Sequence, residues 1–276
     1  MSKTRVLFVS QEIVPFTADS PISLSARQIP QAVHENGKET RIFMPRYGKI
    51  NERRHQLHEV IRLSGMNLIV NDTDHPLIIK VASIPQIRLQ VYFIDNEEFF
   101  HRKAFLNDDK GNLFPDNDER MIFFTKGVLE TVKKLGWAPD IIHCHGWFTS
   151  LMPLYLKQMY KKDPHFADAR VVFSMYDDAF EGNLNAKVAE KISFDSIDKS
   201  HVSHLATPSH TNLMKIAAQH SDAVILGHEV DKKLAQYVDS LEIPVLRQYA
   251  ETDYLNAVDE FFDTVMVGKP ALVGEA

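Results

Sequence analysis

The sequence predicts an α/β fold, a doubly wound and mostly parallel sheet with a small β-rich insertion. Short, continuously apolar runs such as Val6 to Val9 and Ile141 to Cys144 have the pattern of strands buried on both faces. They alternate with amphipathic segments of ten or more residues, which is how parallel strands joined by helical crossovers read. Between residues 57 and 95 that alternation gives way to closely spaced β-rich runs.

The elements follow in order. Val6 to Val9 opens the sheet as a central strand. Ser20-Pro21 supplies an N-cap followed by proline at the first helical position, and Ile22, Ala26, Ile29 and Val33 recur at helical spacing until Gly37 stops the helix. Thr40 to Met44 completes a βαβ unit. Leu68 to Val70, Leu77 to Val81 and Gln90 to Ile94 form the insertion, bounded at about residues 57 and 95. A helix from Asp116 to about Leu135 carries Met121, Phe124, Val128 and Val132 on one stripe, and the strand Ile141 to Cys144 follows. Then come a helix around Leu151 to Tyr160, strands Val171 to Met175 and Ala223 to Leu226, and a helix from Glu229 to Ser240. The strand Pro244 to Leu246 precedes a last helix from about Asp253 to Val267.

Composition narrows the function. The 276 residues carry 31 basic and 37 acidic side chains, net −6, so no basic footprint for nucleic acid or an anionic membrane is present. The single cysteine, Cys144, lies inside an apolar strand, where it reads as a small buried hydrophobe; it excludes an internal disulfide and a cysteine-based zinc site. With no signal-peptide pattern and no run of membrane-spanning length, the reading is a cytoplasmic protein. Glycine is scarce, 11 residues or about 4% against roughly 7% in ordinary chains, and none occurs before Gly37. Ligands of open α/β sheets bind outside the carboxyl ends of the strands, so the informative loops follow Ser10, Met44, Cys144 and Met175.

Those loops carry a resemblance. Val6-Leu-Phe-Val-Ser-Gln-Glu-Ile-Val-Pro-Phe16, Met44-Pro-Arg-Tyr-Gly48, Asn117-Asp-Glu-Arg120, Pro139-Asp-Ile-Ile-His-Cys-His-Gly-Trp147 and Pro153-Leu-Tyr-Leu156 resemble the N-terminal catalytic domain of bacterial glycogen and plant starch synthases. Asn212 to Lys215 and Ser221 to Val224 fit too, so the resemblance runs from about residue 4 to about residue 240. It implies the Rossmann-like N-terminal half of a GT-B glycosyltransferase. Such enzymes transfer glucose, with retention, from ADP-glucose or UDP-glucose to an α-1,4-glucan, and hold the nucleotide sugar mainly in a second, C-terminal domain. That domain takes roughly 200 further residues, so the expectation is a single domain over residues 1–276 without it.

The chain departs from the pattern at the positions the resemblance makes chemical. Where the family has Lys-Thr-Gly-Gly-Leu-Ala-Asp, this chain has Ala18-Asp-Ser-Pro-Ile-Ser-Leu24. A glycine pair at a helix N-terminus lets backbone amides approach phosphates; here Ala18 lacks the cation, Asp19 adds an anion, and Ser20-Pro21 caps the helix. The His-x-His-Asp-Trp motif becomes His143-Cys-His-Gly-Trp147, and the histidine that meets the sugar becomes Tyr176 within Ser174-Met-Tyr-Asp177. Losing one such electrostatic contact commonly costs about a hundredfold or more in rate.

No catalytic residue is therefore assigned: Ala18, Ser20, Pro21, Gly146 and Tyr176 occupy the family positions. The candidate ligand pocket comprises Asp19, Ser20, His145, Trp147, Tyr176, Asp177 and Glu181, although Asp177 and Glu181 read equally well as a solvated turn. His143 and His145, two apart on a strand, have metal-ligand spacing but no third ligand at useful spacing. His201, His204 and His210 fall in a Ser- and Thr-rich stretch that reads as a solvated loop. No metal or other cofactor is expected. The expected role is an inactive binding or regulatory module, with a carbohydrate or nucleotide sugar as ligand. The alternatives are a glucosyltransferase completed by a partner chain, and a structural protein that pairs with another protein or as a homodimer through Leu255, Val258, Phe262, Val265 and Met266 of the last helix.

Overall fold

The computed structural model describes residues 3–87, 89–227, 229–247 and 253–268. Strand β1 (Arg5–Ser10) leads to helix α1 (Pro21–Glu35) and strand β2 (Glu39–Pro45), then to the short helix α2 (Glu52–His55). Strands β3 (His58–Glu59), β4 (Met66–Val70), β5 (Thr73–Ser83) and β6 (Gln90–Asp95) precede α3 (Glu97–Phe100) and the long α4 (Asn117–Lys134). After β7 (Ile141–His145) come α5 (Leu151–Gln158), β8 (Arg170–Met175), α6 (Val188–Ser193), α7 (His210–Gln219) and β9 (Ala223–Leu226). Helix α8 (Lys232–Asp239), β10 (Val245–Arg247) and α9 (Tyr254–Val267) end the fold.

The strand order is β10-β9-β8-β7-β1-β2-β6-β5-β3, with β4 paired to β5. Every pair from β10 to β6 is parallel, and the β6–β5, β5–β3 and β4–β5 pairs are antiparallel. The sheet is therefore the doubly wound one expected, but the insertion is smaller than the sequence suggested. The run Gln90 to Ile94 is β6, parallel to β2 with Ile42 opposite Val91. Its five buried residues in a row, Val91 to Asp95, are the signature of a strand covered on both faces. The insertion proper is the antiparallel β3 to β5. Its β4–β5 hairpin turns on Asn71 and Asp72, both at positive φ, the conformation a two-residue turn demands.

Helix α1 begins as its sequence dictates. Ser20 adopts an extended conformation and its hydroxyl accepts the Ser23 amide at 3.0 Å, while the Ser23 hydroxyl accepts the Ser20 amide at 2.8 Å, a reciprocal capping box with Pro21 at the first position. The helix ends at Asn36 with Gly37 at φ +94°. The stretch around His201 and His204 is a distorted 3-10 segment, Lys199–Ala206, rather than a solvated loop, and His210 is the buried first residue of α7, capped by Ser209.

Helix α9 packs against α1 over the centre of the sheet, where the Phe262 ring lies 5.3 Å from His143 and 6.3 Å from Phe8. Its buried face is Val258, Asp259, Phe261, Phe262 and Val265, so three residues of the expected stripe are buried, whereas Leu255 is only partly buried and Met266 is exposed. Lys38 fixes the register by pairing with Asp259 at 2.8 Å and Asp263 at 3.1 Å, and the Asn36 amide donates to Asp259 at 3.0 Å. No described helix is long and apolar enough to cross a membrane.

Truncating Phe262, which is fully buried, removes the central contact between α9 and the sheet. Phe262→Ala is expected to lower the unfolding free energy by about 3–4 kcal/mol in urea titrations, and a change within 1 kcal/mol would mean that α9 is not part of the cooperative core.

Candidate functional site

The strands progress in opposite directions from β1 and β7, so the topological switch point lies between their carboxyl ends. A cleft of about 430 Å³ opens there. One wall is the loop after β1, contributing Gln11, Glu12, Thr17, Ala18, Asp19 and Ser20; the other is the segment Phe105 to Asp108 with Lys49, and Trp147 and Asp178 close the back.

The far wall is built by residues whose motif was legible but whose role was not. Arg120 is fully buried on α4 and must spend every donor on the protein. Its Nε donates to the Phe99 carbonyl at 2.8 Å, one terminal nitrogen to Asn117 Oδ1 at 2.6 Å and the other to the Phe105 carbonyl at 2.8 Å. Asn117 donates in turn to the Leu106 carbonyl at 2.8 Å. The guanidinium sits over Phe100 at 5.2 Å and Phe114 at 5.5 Å; burial pulls its pKa down to about 10, leaving it charged at neutral pH. Gly48 completes the wall: a Cβ there would stand 2.2 Å from the Arg102 carbonyl and 2.4 Å from that of His101.

The near wall is the N-terminus of α1, and the protein's own side chains satisfy it. The Ser20 hydroxyl, already capping Ser23, donates to Glu12 at 2.7 Å, and Pro21 has no amide to offer. A carboxylate thus stands where an anion would meet the helix dipole. Ala18 and Asp19 are exposed beside it.

At the back, Gly146 has φ +82°, and a Cβ on it would lie 2.5 Å from both Cδ and Oε1 of Gln11. Gln11 is buried, and its Oε1 accepts the Phe148 amide at 3.0 Å. A carboxylate at position 146 would have no room here, because the Gln11 side chain fills the space it would need.

The structure divides the sequence-predicted pocket. Asp19, Ser20 and Trp147 line the cleft. His145 and Tyr176 lie buried beneath it, bound to each other with the hydroxyl 2.7 Å from Nδ1. Asp177 and Glu181 are exposed and do not line it. Asp178 takes the place expected for Asp177: its carboxylate accepts the Trp147 amide at 2.9 Å and contacts His210 Nε2 at 3.1 Å. Gln11, Lys49 and Asp108 were not anticipated. Gln11 directly follows the β1 terminus, which was the available signal, whereas Asp108 arrives from a distant loop.

His143 and His145 stand with ring centroids 4.0 Å apart, fully buried, with His143 Nε2 2.7 Å from Ser174 Oγ. His143 Nδ1 and His145 Nε2 have no hydrogen-bond partner. Burial holds the His145 imidazole down at about 3 and keeps that of His143 well below its usual range, with the neighbouring ring adding to the latter. No group of three or more His, Cys, Asp or Glu side chains arranged to hold a metal occurs among the described residues. Burial also raises the Tyr176 hydroxyl and the Cys144 thiol far above their ordinary ranges, so neither ionises as a nucleophile.

A family model described as the starch synthase catalytic domain matches residues 5–240. The glycogen synthase of Chlorobium limicola is 37% identical over 219 residues, 79% of this chain and 44% of that protein. The glycogen synthase of Chlorobaculum tepidum is 34% identical over 249 residues, 87% of this chain and 48% of that protein. Among solved structures, the catalytic domain of starch synthase IV from Arabidopsis thaliana, bound to ADP and acarbose, aligns with a TM-score of 0.71 at 18% identity. That alignment covers 91% of this chain and 53% of the Arabidopsis chain. The chain spans about half the length of the curated relatives it matches.

Two outcomes follow from this geometry. Gly146→Asp is expected to cost about 2–4 kcal/mol through the clash with Gln11 and the strained φ, and Gln11→Ala in the same chain should recover part of that; equal losses in the single and double variants would refute the packing argument. The buried histidines make the fold acid-sensitive. Unfolded imidazoles titrate near 6.5, so between that pH and about 3 the unfolded chain binds more protons. Stability should be full above about pH 6.5 and fall below it by up to about 1.4 kcal/mol per pH unit for each histidine. Urea midpoints unchanged between neutral pH and pH 5 would contradict this.

Proposed function

The chain belongs to the starch synthase catalytic domain family, and on that premise we propose that it serves as a saccharide-binding or regulatory module without glucosyl-transfer activity of its own. The observation that carries this reading is the closed N-terminus of α1. Phosphate binding at a helix start needs free amides and an approachable backbone; here Ser20 and Ser23 cap each other, Pro21 lacks the donor and Glu12 holds the anion's place.

Charge supports it. The cleft is lined by Glu12, Asp19, Asp108 and Asp178 against Lys49, a balance that repels a pyrophosphate and offers acceptors to hydroxyl groups. Of the two ligand kinds held by the Arabidopsis relative, a nucleotide and a saccharide, such a cleft favours the saccharide. Its volume of about 430 Å³ lies within the range of small-molecule sites. Tyr176, at the position where the resemblance places a sugar-contacting histidine, supports the reading as well, because its hydroxyl is turned down onto His145. The lone cysteine, buried, suits the cytoplasm.

Calorimetric titration with ADP-glucose, UDP-glucose and maltooligosaccharides, run beside a radiolabelled glucose-transfer assay, tests the reading. Heat from maltooligosaccharides with no nucleotide-sugar binding and no transfer is the expected outcome; measurable transfer would overturn it. Reopening the helix start with Ala18→Lys, Ser20→Gly and Pro21→Gly should give ADP-glucose affinity that the parent chain lacks.

A further inference from the structure

A second concavity, an open trough, lies on a part of the molecule that shares no residue with the cleft. About 660 Å³ of open space runs along α4 between the β4–β5 hairpin, the turn after α5 and the end of α6. Three of the seven large apolar side chains exposed among the described residues stand around it: Ile69 at 55%, Met159 at 42% and Phe194 at 61% exposure. Apolar side chains grouped in this way mark a surface that is covered in use.

The trough is a poor site for a polar ligand, because the polar side chains of its floor are already committed. Lys126 pairs with Asp195 and donates to the Ile69 carbonyl at 2.7 Å. The Tyr160 hydroxyl donates to Glu130 at 2.7 Å, and Glu130 also accepts from Lys133. What remains to offer is an apolar surface with a projecting ring beside a hollow.

Its ends differ in sign. The Asn71 amide donates to Glu119 at 3.1 Å, which places the hairpin tip, with exposed Asp72 and Asp74, at the N-terminal end of α4. The Tyr160 and Lys133–Asp163 contacts place the next turn, with exposed Lys161 and Lys162, at its C-terminal end. Glu119 and Glu130 are eleven residues apart, so the two ends are separated by roughly 17 Å along the helix. An acidic end, an apolar centre and a basic end form a pattern that becomes its own complement when a second copy is laid across it by a two-fold rotation.

We propose that this trough is a homodimer interface, in which Phe194 of each protomer enters the hollow of the other and each Asp72 end faces a Lys161–Lys162 end. An isologous arrangement uses every exposed apolar side chain of the patch on both sides and leaves the cleft at the strand ends untouched.

Sedimentation velocity over a micromolar to submillimolar concentration series is the test. The parent chain is expected to show a monomer–dimer equilibrium. Phe194→Asp, at a position exposed enough to leave the melting temperature unchanged, should weaken it by at least about tenfold. Asp72→Lys alone, and Lys161→Asp with Lys162→Asp in one chain, should each weaken self-association, and an equimolar mixture of these two variants should restore it, because both end contacts then pair opposite charges. A monomer at every concentration, a dimer indifferent to Phe194→Asp, or a mixture no stronger than its components would overturn the proposal; the first result would leave the patch to a different protein.

Discussion

A buried guanidinium has no water to fall back on, and that requirement shapes the carboxyl end of the sheet. Arg120 can remain charged inside α4 only by finding carbonyl oxygens, and it finds that of Phe99 in the short helix α3 and that of Phe105 on the loop that follows it. The loop is thereby fixed in the place where Phe105 and Leu106 form the far wall of the cleft, with Asn117 holding the adjoining carbonyl and Gly48 admitting the backbone at Arg102. Arg102, paired with Asp116 at the start of α4, ties the same segment to the helix from its more exposed side.

The opposite wall obeys a simpler constraint, that a helix N-terminus can be satisfied only once. In this chain Ser20, Ser23 and Glu12 satisfy it from within. The same logic of occupied space governs Gly146 and Gln11, where one side chain has moved into the volume another would need. At both places the donors and the room that an anion would use are taken up by contacts within the chain.

The parallel sheet was legible because strands buried on both faces leave continuous apolar runs, and the α1 start was legible because Ser-Pro is a local signal. The boundary of the insertion was not, since a run like Gln90 to Ile94 has the same composition whether it pairs within a hairpin or beside β2. Asp19, Ser20 and Trp147 were found because strand termini point to them. Asp177 was chosen over Asp178 because sequence cannot say which of two adjacent carboxylates turns inward; here the Trp147 amide and His210 decide it. Asp108 and Lys49 were missed because they reach the cleft through tertiary contacts made by Arg120 and Tyr47, which no local pattern encodes.

Helix α4 links the two surfaces. Its first turn, through Asn117 and Arg120, carries the wall of the cleft, and its later turns, through Lys126 and Glu130, carry the floor of the apolar trough. Lys191 of α6 braces that first turn by pairing with the buried Asp118 at 2.6 Å and with Glu119 at 2.8 Å, and α6 ends next to Phe194 at the trough's rim. The rim and the cleft wall are thus joined through one ion-pair cluster and one helix, by packed and charged contacts rather than by loops. Because the polar groups along that path are buried and paired, displacing the helix would expose or strand a charge.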